Sequence, residues 1–494
     1  MHLWKRIVFI GIGFFESLTV TGIIFGWPAL VHVFQLEGIF SHFCLEDAKS
    51  QGEYNTNGTE FANTSDTNSS IIIRCPRQDN MFGLLYSLMI AMYGIPSALV
   101  GFSLDYAGLR FTRVTSGAMM IGGFIWVGLA TAANPWMVWP GMLLISFGSN
   151  GMRLSSLQCG NAWPAKRSTI MFCYTSAHAA STLVFLMFQY ANAAGISLRS
   201  TSFVMSAVCG ITLISSFILP KMKVEYQPKL SLGNNEVNDA DNNSIPLNKI
   251  NTDTEESKGN QSPSGKEPDV KIPLGLSIKT MSFVFHNVWL VNIYMTRFYV
   301  TSFNTWAWKT TDDPNQIAFY NSFSGICLII SPFINPIGGL ITDFMTKRAD
   351  KKNDPIERLA AKFRAPAFVL TLASALTLAV YICKISYSPN AVYVSIVLIS
   401  IVRPISIASL YSYVQLRFYP EHFNRLTGIS YTIISIVGLL QYPQYLWLFK
   451  SEESYLWASY TFCFMILLTF ISPGHLLVTS LTRKFAAKEI RNRK

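Results

Sequence analysis

Charge is what this chain has least of. Asp, Glu, Lys and Arg together make up 14% of its 494 residues, against 50% hydrophobic residues. A typical soluble domain carries about 25% charged residues, so an ordinary water-soluble globule is excluded. No Gly-rich phosphate loop, H-E-x-x-H or G-x-S-x-G sequence occurs, and no nucleotide-binding domain is recognisable. That removes the common enzyme classes and ATP-driven pumps. The eight cysteines have no metal-type spacing, six of them lie in apolar runs, and no metal or cofactor is expected. Aromatic residues, 14% of the whole, are missing from Gln227 to Thr280. This stretch is rich in Asn, Asp, Glu, Lys, Ser and Pro and cannot bury enough apolar surface to offset chain entropy. A disordered linker is expected over 221–280.

What the chain does have is long apolar runs. A bilayer core of ~30 Å needs about 20 mostly apolar residues per helix. Six runs precede the linker, near 7–33, 81–104, 114–133, 136–157, 169–192 and 202–219. Six follow it, near 286–306, 317–341, 366–384, 391–415, 426–448 and 457–478. The expectation is an all-α membrane protein with twelve transmembrane helices in two six-helix halves, 1–220 and 281–478, and a basic tail at 479–494. The first run is long enough to span and stay, so no cleaved leader is expected. The net charge of +11 sits between the runs rather than on aromatic-interleaved patches, which points to the lipid bilayer and away from nucleic acid. With the N-terminus inside, Lys and Arg divide 29 to 7 in favour of the inner segments, and 21 to 7 without the linker. Both termini are therefore expected in the cytoplasm of a multi-pass plasma-membrane protein.

The first outer loop, 34–80, carries three sequons at Asn57, Asn63 and Asn68 and the two loop cysteines Cys44 and Cys75. Glycosylation and a Cys44–Cys75 bridge are expected in an oxidising exterior. The sequons at Asn242 and Asn260 fall in the linker and are read as chance matches.

The halves echo one another. Gly101-Phe-Ser-Leu-Asp105-Tyr-Ala-Gly108-Leu-Arg110 follows the second run, and Gly339-Leu-Ile-Thr-Asp343-Phe-Met-Thr-Lys347-Arg348 follows the eighth. Glycine allows close helix approach, and an aspartate at a span's end can accept from a neighbouring helix N-terminus. The pair in register resembles the loop motif of the major facilitator superfamily. That resemblance implies two halves rocking about a central midplane site. Tyr106 and Leu109 stand where the family motif is usually basic, which implies a weaker inner lock in the first copy.

Charges inside spans are costly and become functional candidates. Glu16 is the deepest acid: it contacts substrate, joins a gating ion pair, or packs against a neighbouring span. Arg403, just before Pro404, is the first choice for lining a cavity, with Arg153 and Arg297 as further candidates. Tyr174, His178 and Ser181 share one face of the fifth span, and Gln158 with Asn161 points to an inner gate. Gln441 and Gln444 flank Pro443 in the eleventh span. Amides of this kind match the donor and acceptor edges of a planar ligand.

Phe25-Gly26-Trp27-Pro28 with Glu16, Leu157-Gln158-x-Gly160-Asn161, Arg167-Ser168-Thr169-Ile170, Gly195-Ile196-Ser197-Leu198-Arg199, Arg403, Glu421-His422-Phe423 and Leu440-Gln441-Tyr442-Pro443 together resemble solute carrier family 43. The resemblance spans all twelve runs. It implies facilitative transport by alternating access, of purine nucleobases or, in the other branch, of large neutral amino acids. Several of these stretches are nearer the nucleobase branch. Glu16 and Arg403 match family positions, whereas Arg153 stands where the family has an apolar residue, so its candidacy rests on charge and depth. A zwitterion would use Arg403 and Glu16. A nucleobase would use aromatic and edge-reading groups such as Trp27, Tyr174, His178 and Gln441. Glu16 and Arg403 are expected to act on one transport step, without obligatory ion coupling. Proton symport through Glu16 and a non-transporting receptor are the lesser alternatives.

Overall fold

The computed structural model describes residues 3–44, 76–218, 272–295, 303–308, 310–311, 313–386, 388–440, 443, 447 and 451–493. Among them the chain is helical nearly throughout, with one β-bridge, Thr131 to Asn134, in the turn between the third and fourth spans. Eight helical runs are long and apolar enough to cross a bilayer. The other four expected spans coincide with the helices Leu109–Gly128, Val138–Ser156, Met281–Met295 and Phe423–Gly438. The first two carry buried arginines, Arg113 and Arg153. The last two end close to residues outside the description.

The sixth span, Leu198–Ile218, shows how the bundle meets lipid. Val204, Ile211, Ile214 and Phe217 on one face are 58–64% exposed, while Ser202, Cys209, Thr212 and Ser216 on the opposite face are buried. A helix that turns its greasy side outward and its hydroxyls inward is built for a hydrocarbon solvent.

Inside, small residues set the helix spacing. A Cβ on Gly123 would lie 2.7 Å from the Gly141 carbonyl oxygen, and one on Gly148 would lie 2.5 Å from that of Ser116. The third and fourth spans therefore touch backbone to backbone, as small residues permit in membranes.

The first span is broken where it matters. Its helix Leu3–Thr19 gives way to a 3-10 turn, Ile23–Gly26, before helix resumes over Trp27–Leu36. Gly22 and Gly26 press against the fifth span, where added Cβ atoms would come within 2.3 Å of the His178 carbonyl and 2.2 Å of the Thr182 carbonyl. The carbonyls released at the break are not left bare. Ser149 Oγ donates to the Val20 and Thr21 oxygens at 2.8 and 2.7 Å, and Tyr93 Oη donates to Thr21 at 3.1 Å. Breaks at membrane depth persist only with such substitutes.

Two helices lie outside the bundle, on the side where the 218 and 281 helix ends face the linker, hereafter the linker side. Asp354 caps Pro355–Arg364, accepting from the backbone N–H groups of Ile356 and Glu357. The expected basic tail is itself a helix, Thr479–Arg493, because Phe485 and Ala486 have an apolar seat on Ala360 and Phe363. Glu357 receives Lys352, Arg364 and Arg483. These cations hold its carboxyl down at about 2. Arg417, at the end of the tenth span Pro389–Arg417, lies between the rings of Phe363 and Phe485 at 4.6 and 4.8 Å. The expected linker also ends earlier than its composition suggested. Residues 272–280 include the helix Gly275–Ile278, held by His422 through the Ile272 carbonyl and the Ser277 hydroxyl. The rest of the linker, the three sequon asparagines and Cys75 lie outside the described residues, while Cys44 is disulfide-bonded and six other cysteines are free.

Candidate functional site: a cavity between the halves

A small cavity of about 40 Å³ lies between the two halves. Phe25, His178, Ala179 and Thr182 line it from the first half; Ile293, Tyr294, Ile399, Val402, Arg403, Ser406 and Ile407 line it from the second. The breaks in the first and fifth spans bring Phe25 and Thr182 to this wall. His178 is fixed by Thr21 Oγ1, 3.1 Å from its Nδ1, by a stacked Tyr93 ring and by the edge of Phe25. The lining is mostly apolar with a few polar groups, the usual make-up of a small-molecule site. Among the described lining residues one is cationic, Arg403, and none carries a carboxylate.

Glu16 sits elsewhere. Its Oε1 accepts from Arg113 Nη2 and from Ser215 Oγ at 2.7 Å, and its Oε2 accepts from Ser156 Oγ at 3.1 Å. Arg113 also donates from Nε to Ser216 Oγ at 3.2 Å. In this conformation Glu16 is therefore paired with Arg113 and not with Arg403. The acid is the centre of a buried knot tying the first, third, fourth and sixth spans of one half. Arg113 stands just before the third apolar run, a position that reads in sequence as an inner-loop cation. The signal that could have found it is Thr112, Ser116 and Gly117 beside it, a small polar face unsuited to lipid.

Other candidates also fall away from the wall. Trp27 stacks on Tyr86 at 5.9 Å in an aromatic cluster with Phe34 and Phe82, so it packs within its own half. Tyr174 donates to the Ile10 carbonyl at 3.0 Å and packs over Gly13, joining the fifth span to the first. Arg153 is buried one layer behind the cavity, bonded to Asn150 and Tyr411. Arg297 and Gln441 lie outside the described residues.

On the linker side the two loop motifs close the halves against each other. Asp343 accepts from the backbone N–H groups of Ser168 and Thr169 at 3.1 and 2.9 Å and from Thr169 Oγ1 at 2.7 Å. Those residues open the helix Arg167–Ala180, so the carboxylate meets a helix N-terminus. In the pseudo-equivalent place Asp105 pairs with Arg425 at 2.7 Å and accepts from Asn424 Nδ2 at 2.8 Å, at the start of the helix Phe423–Gly438. Gln158 donates to Asn424 Oδ1 at 2.5 Å and accepts from Asn161 at 3.0 Å. Both motif glycines permit this contact. A Cβ on Gly101 would lie 2.5 Å from the Asn424 oxygen, and one on Gly339 would lie 2.5 Å from the Thr169 Cα. Gly108, at φ +89°, turns the chain into the third span. Arg110 donates to the Phe217 carbonyl at 3.1 Å, whereas Lys347 and Arg348 are exposed in a helix's last turn.

Comparison with known proteins places this geometry. The chain is 23% identical over 509 residues to equilibrative nucleobase transporter 1 of Bos taurus, covering 98% of each chain. It is 22% identical over 532 residues to the human (Homo sapiens) large neutral amino acids transporter small subunit 3, covering 93% of this chain and 91% of the other. No family profile matches. Among solved structures, the human organic anion transporter MFSD10 superposes with a TM-score of 0.52 at 12% identity, over 95% of this chain and 99% of that one. FucP, a major facilitator superfamily transporter in the outward conformation, gives 0.50 at 11% identity, over 91% and 98%. The chain thus shares the fold of these transporters, and its full-length relatives are transporters rather than enzymes, in keeping with its resemblance to solute carrier family 43.

Proposed function

We propose that the chain is a facilitative carrier of purine nucleobases in the plasma membrane, with the linker side in the cytoplasm. The observation that carries this reading is the set of rings and polar groups on the cavity wall, with no acid among the described lining residues. A neutral amino acid brings an ammonium group into the site, and the acid best placed to meet it, Glu16, is occupied by Arg113. A purine brings a flat π-face and an edge of donors and acceptors. Phe25 and Tyr294 offer aromatic surface to the former; His178, Thr182, Ser406 and Arg403 offer hydrogen bonds to the latter. The linker-side contacts at Asp105 and Asp343 close one face, so the conformation described is read as open toward the outside. With no unoccupied acid at the cavity, the carrier is read as uniporting by alternating access.

Uptake of labelled adenine in cells expressing the chain tests the proposal. Competition by hypoxanthine and guanine, without competition by leucine, is the expected result. Strong competition by leucine, with adenine inert, assigns the chain to amino acids.

A further inference from the structure

Directly behind the cavity, a buried guanidinium is held between the two halves with no carboxylate partner among the described residues. Arg153, 5% exposed, comes from the fourth span. It donates to Asn150 Oδ1 at 2.6 Å within its own half and to Tyr411 Oη at 3.2 Å across the boundary. Its guanidinium carbon lies 3.8 Å from the centre of the Tyr431 ring, again in the opposite half, and 5.0 Å from that of Tyr93. Tyr411 donates to Tyr431 at 3.3 Å, so the two rings form one unit. The Arg153 Nε is buried with no hydrogen-bond acceptor. Among the described residues the charge is therefore balanced by ring faces and neutral oxygens, a contact that depends on close approach and is lost within a few ångströms.

The cage shares its rings with the cavity wall. Tyr93 stacks on His178 and stands edge-on to Phe25, both lining residues. Tyr294, a third lining residue, stands edge-on to Tyr431 at 6.1 Å. A solute that seats against Phe25, His178 and Tyr294 pushes on the rings that hold Arg153. We propose that Arg153 with Tyr411 and Tyr431 is a cation–π latch that holds the empty carrier closed behind the cavity, and that a bound solute loosens it through Tyr294 and Tyr93. Arg153 is a positioning residue in this scheme. The inference rests on the alternating-access reading and not on which solute is carried.

A latch of this kind makes the loaded carrier reorient faster than the empty one. Efflux of labelled adenine from preloaded cells should accelerate several-fold when unlabelled adenine is present outside. Arg153→Gln and Tyr431→Leu free the empty carrier and should bring that ratio close to one. Tyr431→Phe keeps the ring face and should keep the ratio; Tyr411→Phe deletes one hydroxyl and should lower it in part. The ratio is read within each variant, so reduced expression does not move it, and the two conservative variants serve if the others fail to fold. A ratio near one in the wild type overturns the latch. So does an undiminished ratio in Arg153→Gln and Tyr431→Leu, or Tyr431→Phe behaving as Tyr431→Leu does. If leucine is carried and adenine is not, the nucleobase proposal falls while the same ratio, measured with leucine, still decides the latch. If neither is carried, both fall.

Discussion

Replacing Glu16 by Gln keeps the side chain's shape and one acceptor oxygen but removes the charge that faces Arg113. Both residues are at most 1% exposed, so water cannot reach the orphaned guanidinium. Breaking a buried pair from one side costs about 3–5 kcal/mol, because the remaining charge stays desolvated and uncompensated. The pair joins four spans of the first half, a unit of roughly 200 residues, for which 1 kcal/mol moves a melting temperature by about 2–4 °C. At the lower end of the cost, about 3 kcal/mol, Glu16→Gln should therefore lower the apparent melting temperature of the purified carrier by roughly 6–12 °C. Arg113→Gln should do the same. The double variant places two amides where two charges stood, and should melt no lower than either single variant, a coupling of about 3 kcal/mol. Combined with Arg403→Gln, which shares none of the hydrogen bonds of the knot, Glu16→Gln should instead show additive losses within about 0.5 kcal/mol. Thermal unfolding in detergent, followed by tryptophan fluorescence or by the loss of the monodisperse elution peak, measures all six proteins, the wild type and Arg403→Gln alone included. Wild-type stability in Glu16→Gln, or coupling to Arg403 rather than to Arg113, would refute the reasoning.

Other expectations bear on the gate, the surface helices and energetics. Gly339→Val places carbon atoms where the Thr169 Cα stands 2.5 Å from a Cβ, so uptake should fall at least tenfold with surface expression retained. Asp343→Asn, which leaves the N–H groups of Ser168 and Thr169 without a charged acceptor, should also slow uptake while leaving competition constants within about threefold. Glu357 has its carboxyl lowered to about 2 by Lys352, Arg483 and Arg364. Its contribution is thus fully present above the unfolded value near 4.5 and is lost as pH falls toward 2. Glu357→Gln at neutral pH should mimic that loss, and hydrogen exchange over 479–493 should accelerate while the spans stay protected. Uptake should be indifferent to a protonophore; accumulation above the external concentration, collapsed by that reagent, would reinstate proton coupling through Glu16.

Run length and charge placement made the spans legible because the bilayer imposes one length and one polarity on every crossing. The helix expected over 366–384 runs from Ala367 to Ile385. The seventh span begins at Met281 rather than 286, since Ser282, His286 and Asn287 are polar yet buried against helix rather than exposed as loop. Helix Thr479–Arg493 escaped notice because its composition is that of a solvated tail. Only its contact with Phe363 and Ala360 gives Phe485 and Ala486 a reason to fold. The cavity was harder to read. Depth marked Glu16, Arg153 and Arg403 alike, but depth along a helix says nothing about the direction in which a side chain faces. Rotation about the helix axis gave Glu16 to Arg113, Arg153 to a tyrosine cage and Arg403 to the cavity. Those directions depend on which neighbours are packed where, and a single sequence does not record that.

The two aspartates of the linker-side contact occupy the ends of spans, and this has a kinetic consequence. A carrier must break its inner contact once in every cycle, and each ~1.4 kcal/mol that the break costs slows the step tenfold. Had the halves been joined by a charge pair at the depth of Glu16 and Arg113, opening would strand ions in a dry interior. Asp105 and Asp343 instead lie at the ends of spans, where they meet Arg425, an amide and a helix N-terminus. When the halves part there, water takes over each hydrogen bond as it is released, and the carboxylates are exchanged from one solvated partner to another. A contact of that kind holds a conformation long enough to load it and still lets go on the timescale of turnover.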